Sequence, residues 1–144
     1  MSKVNIVFWT GTGNTSAMAE YIAQGVTAAG KEAALIPVDQ ANIADLIAEK
    51  AFALGCPSMG AEQLEESEME PFMCELESQI SGKQIALFGS YGWGNQEWMR
   101  DWEERIAAAG ASVVNGEGIA VNGAPGEDAA DECKDLGRDL AGLI

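Results

Sequence analysis

Six consecutive residues, Thr10-Gly11-Thr12-Gly13-Asn14-Thr15, lie between a short apolar run and a helix-like run and carry three hydroxyls, a carboxamide and two glycines. Glycine lets backbone amides approach a ligand closely and takes up positive φ. A helix starting at this point adds its unpaired amides and the positive end of its dipole. That chemistry suits a phosphate. No Lys or Arg occurs between Lys3 and Lys31, so the loop lacks the Gly-Lys-Ser/Thr with which a triphosphate site neutralises spread charge. Ser16 stands where a dinucleotide fingerprint wants a glycine. A single terminal phosphate held by neutral donors fits best, against the plain alternative of a turn followed by a capped helix.

Two further stretches point the same way. Ser90-Tyr91-Gly92-Trp93-Gly94 leaves an apolar strand with an indole fenced by glycines. A core tryptophan usually sits on a periodic element, whereas Trp93 sits in a loop and is placed to face a ligand. Met59, within Cys56-Pro57-Ser58-Met59-Gly60-Ala61-Glu62, holds the matching position after another strand. A thioether and an indole at one rim can clamp a flat aromatic ring. Each alone is an ordinary hydrophobic filler; beside a phosphate loop they describe a phosphorylated planar cofactor. Cys56 borders this site without a basic neighbour to make a thiolate, so it is expected to be buried and inert.

The elements that must position these loops alternate. Strand-like runs are Val4 to Trp9, Ala33 to Val38, Ala51 to Leu54, Ile85 to Gly89, and Ser112 to Val121 interrupted by Gly116 and Gly118. Pro37 marks the second strand as an edge. Helical spacing places Met18, Ile22, Val26 and Ala29 on one face, Ile43, Leu46 and Ile47 on a short helix capped by Asn42, and Met99, Trp102 and Ile106 on another. Pro71 suits the first turn of a helix running to about Ile80, and Ala129, Cys133, Leu136, Leu140 and Leu143 share a side of the last one. Alternating strands and helices predict an α/β fold, a parallel sheet with helices on both faces. Sites in such sheets lie beyond the carboxyl ends of the strands, so loops 10–15, 56–69 and 90–95 open onto one edge. No linker or repeat divides the chain, and residues 1–144 are expected to form one domain.

Composition sets the outer bounds. The 144 residues include 23 acids against 8 bases, a formal charge of -15, and no histidine. That balance excludes nucleic acid and anionic membrane surfaces as partners and favours basic ones. Ser–His or Cys–His nucleophiles and imidazole metal ligands are excluded. Three cysteines without metal-ligand spacing, and a Met1-Ser2-Lys3 start without signal-peptide character, lead to the expectation of a soluble cytoplasmic protein in a reducing compartment; it is further expected to be a monomer.

Four ordered blocks then carry a resemblance over the whole length: Phe8-Trp9-Thr10-Gly11-Thr12-Gly13-Asn14-Thr15, Leu54-Gly55-Cys56-Pro57-Ser58-Met59-Gly60, Glu65-Glu66-Ser67-Glu68-Met69-Glu70-Pro71-Phe72 and Leu87-Phe88-Gly89-Ser90-Tyr91-Gly92-Trp93-Gly94. The sequence resembles a short-chain flavodoxin of the clostridial type. The resemblance implies a flavodoxin-like, doubly wound three-layer sandwich with a five-stranded parallel sheet in order 2-1-3-4-5, an order that is itself a standard case of the switch-point rule. It implies noncovalently bound FMN, with the phosphate in Thr10 to Thr15 and the ring between Met59 and Trp93. The Gly60 carbonyl would accept the flavin N5 hydrogen after one electron is added. Glu62 would bond the pyrimidine side, Ser58 beside Met59 would be a further cofactor contact, and the backbone from Ser90 to Gly94 would meet the ring carbonyls. Tyr91 stands either beside the ring or against the last helix, and Asn122, in the loop after strand five, is a candidate contact for the ribityl chain. Trp98 and Trp102 are read as helix-face residues, Trp102 in the core.

The function implied is a low-potential one-electron carrier, not an enzyme, cycling between neutral semiquinone and anionic hydroquinone and serving basic-surfaced reductases and oxidoreductases in transient complexes. From Ala51 to Gly82 there are seven glutamates and no Lys or Arg, and from Asn115 to Ile144 seven acids against Lys134 and Arg138. Charges 4 Å apart interact by about 4 kcal/mol at an effective dielectric of 20, and roughly 1.4 kcal/mol corresponds to about 59 mV. Several screened carboxylates would therefore lower the second potential by on the order of 100 mV. The rival reading is a flavin-dependent quinone or nitro-compound reductase, which needs a substrate pocket over the ring that a Met59/Trp93 clamp would cover. A signalling receiver needs acids after strand one and an Asp ending strand three, where Trp9-Thr10 and Gly55-Cys56 stand.

Overall fold

The computed structural model describes residues 3–144; Met1 and Ser2, on which the expectation of no leader rests, lie outside the described residues. In chain order the elements are β1 (Lys3–Phe8), α1 (Asn14–Ala28), β2 (Glu32–Pro37), α2 (Ile43–Ile47), β3 (Ala51–Gly55), α3 (Met69–Leu76), β4 (Gln84–Tyr91), α4 (Glu97–Ala108), β5 (Ser112–Val113), β6 (Ile119–Asn122) and α5 (Glu127–Ala141). The sheet runs β2-β1-β3-β4-β5, with β6 also on β4, and every pairing is parallel. The order is the one the resemblance implied. Pro37 closes β2 at the edge of the sheet, where its missing N–H interrupts no ladder.

Side chains alternate across the sheet. Val4, Ile6, Ala53, Ala86 and Phe88 face α1 and α5, where Met18, Ile22, Cys133 and Leu140 complete a buried cluster. Val7, Phe52, Leu54, Ile85 and Leu87 face the other way, onto Leu46 of α2, Met73 of α3, and Trp98, Trp102 and Ile106 of α4. Asn42 caps α2 as expected, its Oδ1 accepting the Asp45 N–H at 3.3 Å.

Several expectations need correction. Strand five is two short strands, both paired with β4 and separated by a 3-10 turn, Val114–Gly116, in which Asn115 and Gly116 have φ of 65° and 85°. Gly118 then packs so closely that a Cβ would overlap the Met99 sulfur. β4 runs on through Ser90 and Tyr91, so these two belong to the sheet and not to a loop; Asn122 ends β6 opposite Tyr91. α3 does hold Pro71 in its first turn, as its third residue, but the α-helix stops at Leu76 and the last turn to Gln79 is 3-10. The α5 seam is Ala130, Cys133, Leu136, Gly137 and Leu140, with Ala129 half-buried and Leu143 beyond the helix. Ala29 is exposed just past α1. Trp98 joins Trp102 in the core, each 1% exposed.

Candidate functional site

The loop after β1 is shaped by its own side chains. Thr10 Oγ1 accepts the Gly13 N–H at 3.1 Å, and Ser16 Oγ donates to the Gly13 carbonyl at 3.1 Å. Gly13, at φ 97°, starts α1, which has no side-chain cap and no acidic residue in its first turn. The amides at that helix start are thus left to an anion. Thr15 is buried: its Oγ1 lies 3.2 Å from Ser90 Oγ and accepts the Ser90 N–H at 3.4 Å. The Ser90 carbonyl in turn accepts the Ser58 N–H at 2.9 Å. Ser90 therefore joins the first loop to the second.

The loop after β3 returns on itself: Met59 and Gln63 exchange backbone hydrogen bonds of 2.8 and 2.9 Å around Gly60 at φ 53° and Glu62 at φ 52°. Glu62 and Gln96, at φ 68°, are left-handed non-glycine residues on facing loops, a conformation that costs energy and clusters at functional sites. Glu62 Oε1 accepts the Glu97 N–H at the start of α4 at 2.9 Å, and a Cβ on Gly94 would overlap its carboxylate. The farther end of the loop hangs on Glu65, buried, whose carboxylate accepts N–H groups of Ser67, Glu68 and Met69 at 2.8, 2.7 and 3.0 Å. Burial works to raise its pKa, but these bonds together outweigh it and hold the carboxyl below the usual carboxylate range.

Between these loops lies a cleft of about 300 Å³, at the lower end of the roughly 300–1,000 Å³ usual for small-molecule sites. Gly11, Thr12 and Asn14 line one end; Ser58, Met59, Ser90, Tyr91, Gly92 and Trp93 line the rest. Trp93 is 56% exposed, an indole left open beside a cleft when Trp98 and Trp102 are buried. Thr10, Gly13, Thr15, Gly60, Glu62 and Gly94 sit behind the walls and hold the loops in shape, and Asn122 points from an exposed strand end without lining the cleft. Tyr91 packs on Trp98 of α4, centroids 5.7 Å apart, and not on the last helix; its hydroxyl accepts from Gln96 at 3.1 Å.

Three lining residues escaped the sequence reading: Trp9, Pro57 and Gly123. Trp9 lies on Gly11, where a Cβ would come within 3.2 Å of the indole, and donates from Nε1 to Glu68 at 2.9 Å. Its place directly before the phosphate-like loop was the available signal. Gly123, at φ 71°, donates its N–H to the Tyr91 carbonyl at 2.9 Å.

Charge around the rim is less free than the count of glutamates suggests. Arg105 of α4 forks onto Glu70 at 2.8 and 2.7 Å and reaches Glu77 at 2.7 Å. Glu70 is held below the usual carboxylate range first by that arginine. Cys56 is buried, and burial pushes its thiol up to about 12, so it is inert as expected. Among the described residues no group of three or more His, Cys, Asp or Glu could hold a metal ion.

These residues fit FMN. Neutral hydroxyls and free helix amides stand at one end, apolar and aromatic walls at the other, and the buried Ser58 hydroxyl on the wall has no partner in the protein. Comparison with known proteins agrees. The flavodoxin family model matches residues 6–137. A flavodoxin of Clostridium beijerinckii is 47% identical over 140 residues, 97% of this chain and 100% of that one. A flavodoxin of Megasphaera elsdenii is 46% identical over 138 residues, 96% and 98% of the two chains. The solution structure of two-electron reduced Megasphaera elsdenii flavodoxin superposes with a TM-score of 0.86 at 44% identity, covering 96% of this chain and 98% of that one.

Proposed function

From the premise that the chain belongs to the flavodoxin family, FMN-binding electron-transfer proteins and not enzymes, we propose that it carries single electrons at low potential between redox partner proteins. Bound FMN supplies two successive one-electron reductions. The protein's part is to make the two steps unequal. Thr12, Asn14, the amide of Gly11 and the free amides at the head of α1 would hold the phosphate, and Thr10, Gly13 and Thr15 would keep that loop in shape. Met59 and Trp93, which both line the cleft, would cover the two sides of the ring and exclude water. The left-handed turn at Gly60 would leave its carbonyl available to hold a proton at flavin N5, and Glu62 would meet the pyrimidine edge. The backbone of the 90–94 turn, beyond the Ser90 groups already bonded to Thr15 and Ser58, would meet the ring oxygens, and the carboxylates near the rim would disfavour the anionic, fully reduced ring.

The observation that carries this reading is the pairing on one strand edge of an uncharged phosphate-like loop with a Met59/Trp93 cleft. The same excess of carboxylates would recruit basic-surfaced reductases and oxidoreductases in transient complexes, with the carrier acting as a cytoplasmic monomer. Redox titration of the FMN-loaded protein tests the reading. Two separated one-electron waves are expected, the second displaced downward, and electron transfer to a basic partner should slow as salt is added. A single two-electron wave overturns it.

A further inference from the structure

The carboxylates of α3 are sorted onto two faces, because residues seven apart on a helix point the same way. Glu70 and Glu77 face α4, where Arg105 holds each of them at 2.7 Å. Glu75, and Glu68 at the entry to the helix, instead border a groove of about 750 Å³ between α2 and α3. Asp39, in the 3-10 turn Val38–Gln40 that precedes α2, borders it from the other side, and Ile43, Ile47 and Phe72 lie between. The three carboxylates are exposed, the isoleucines are half-buried and Phe72 is buried. Among the described residues none of these three carboxylates pairs with a base. Residues 32–49 and 51–82, which supply both banks, contain no Lys or Arg. Like charges along an apolar groove repel one another in the free protein and complement a cationic occupant.

Resting on the reading of the chain as an electron carrier, we infer that this groove seats an amphipathic helix of the redox partner, with aliphatic side chains at i and i+4 between flanking lysines or arginines. The aliphatic pair meets Ile43, Ile47 and Phe72, the mode in which a helix lays its apolar face into a groove, and the cations meet Asp39, Glu68 and Glu75. Trp93 is not part of this surface, which touches the cleft at one point. Glu68 accepts the indole N–H of Trp9 at 2.9 Å, and Trp9 lines the cleft. A partner cation on Glu68 draws on the same carboxylate, so docking is felt in the cleft through Trp9.

The test uses the FMN-loaded full chain and two synthetic helical peptides of identical composition. One carries leucines at i and i+4 between lysines; in the other the leucines stand on opposite faces. The first should bind in calorimetric titration, and its NMR titration should move the signals of Ile43, Ile47 and the Trp9 indole N–H but not the Trp93 indole. Asp39→Lys combined with Glu75→Lys should weaken it at least roughly tenfold with FMN affinity unchanged. Glu20→Lys combined with Glu132→Lys, an equal change of charge on exposed positions of α1 and α5, should leave peptide binding nearly as it was. No binding overturns the proposal, as does equal binding of the second peptide, equal weakening by the α1/α5 pair, or movement of Trp93 without Ile47. If the peptide seats in the groove but the loaded protein gives a single two-electron wave, the carrier reading falls and the docking surface stands.

Discussion

On the side of the sheet covered by α1 and α5, the strands present Ala51, Ala53 and Ala86, and the two helices touch main chain to main chain. A Cβ on Gly25 would overlap the Lys134 carbonyl, and one on Gly137 would overlap that of Ile22. On the other side Phe52, Leu54, Ile85 and Leu87 meet Trp98 and Trp102, and the outside is stitched by Arg105 to Glu70 and Glu77. The first arrangement fixes the line of α1, whose head is the uncapped loop 10–13. The second fixes loop 56–68 through directed bonds: Trp98 Nε1 donates to the Cys56 carbonyl at 3.0 Å, and Glu65 gathers three amides at the far end. One side of the cleft is thus positioned by close approach and the other by hydrogen-bonded bulk.

The sharpest way to break that contrast is Trp98→Ala. Loss of a buried indole should cost about 3–5 kcal/mol in denaturant unfolding, and with the Cys56 carbonyl left unpaired FMN and riboflavin should weaken together. A loss confined to stability would show that loop 56–68 holds its shape without Trp98. Gly137→Ala comes next, at about 1–3 kcal/mol from overpacking against α1. If α1 is the part that carries the phosphate end, calorimetric titration should show FMN weakened more than riboflavin; an equal change would uncouple the helix crossing from the loop. Smallest is Glu65→Gln, about 1–2 kcal/mol as for a lost helix cap. Because the folded-state pKa of Glu65 is depressed, its contribution is complete above the unfolded carboxylate value and is lost as pH falls through the folded one. Unfolding measured from neutral pH down through the carboxylate range should therefore fall less steeply for the variant than for the unsubstituted chain, and parallel curves would remove Glu65 as the acid-sensitive fastening.

Much of this was legible before any coordinates because its signals are local. The alternation of apolar runs and breakers gave β1 to β4 and their helices, and the loops that line the cleft are contiguous words such as Thr10 to Thr15. What stayed hidden depends on residues distant in sequence. The Trp9–Glu68 bond spans 59 positions and the Arg105–Glu70 fork 35, so seven glutamates counted along the chain overstate the charge free at the rim. Glu65 looked like one more solvated acid because nothing in its neighbours announces that its oxygens turn back onto the amides of 67–69. The continuation of β4 through Tyr91 was masked by Gly89, a strand glycine required where a Cβ would overlap the Cys56 carbonyl, and the split of strand five rested on a left-handed Asn115 that spacing alone does not reveal.

The proline that closes β2 has a consequence outside the cleft. An outer strand offers its free peptide groups to any second molecule, and Leu35, 41% exposed, would reward such an encounter. At Pro37 there is no amide hydrogen for the newcomer, and at Glu32 a like charge would meet its copy in a parallel, in-register approach. Edge-to-edge pairing of two copies is thereby disfavoured by one ring and one carboxylate at opposite ends of the same six residues.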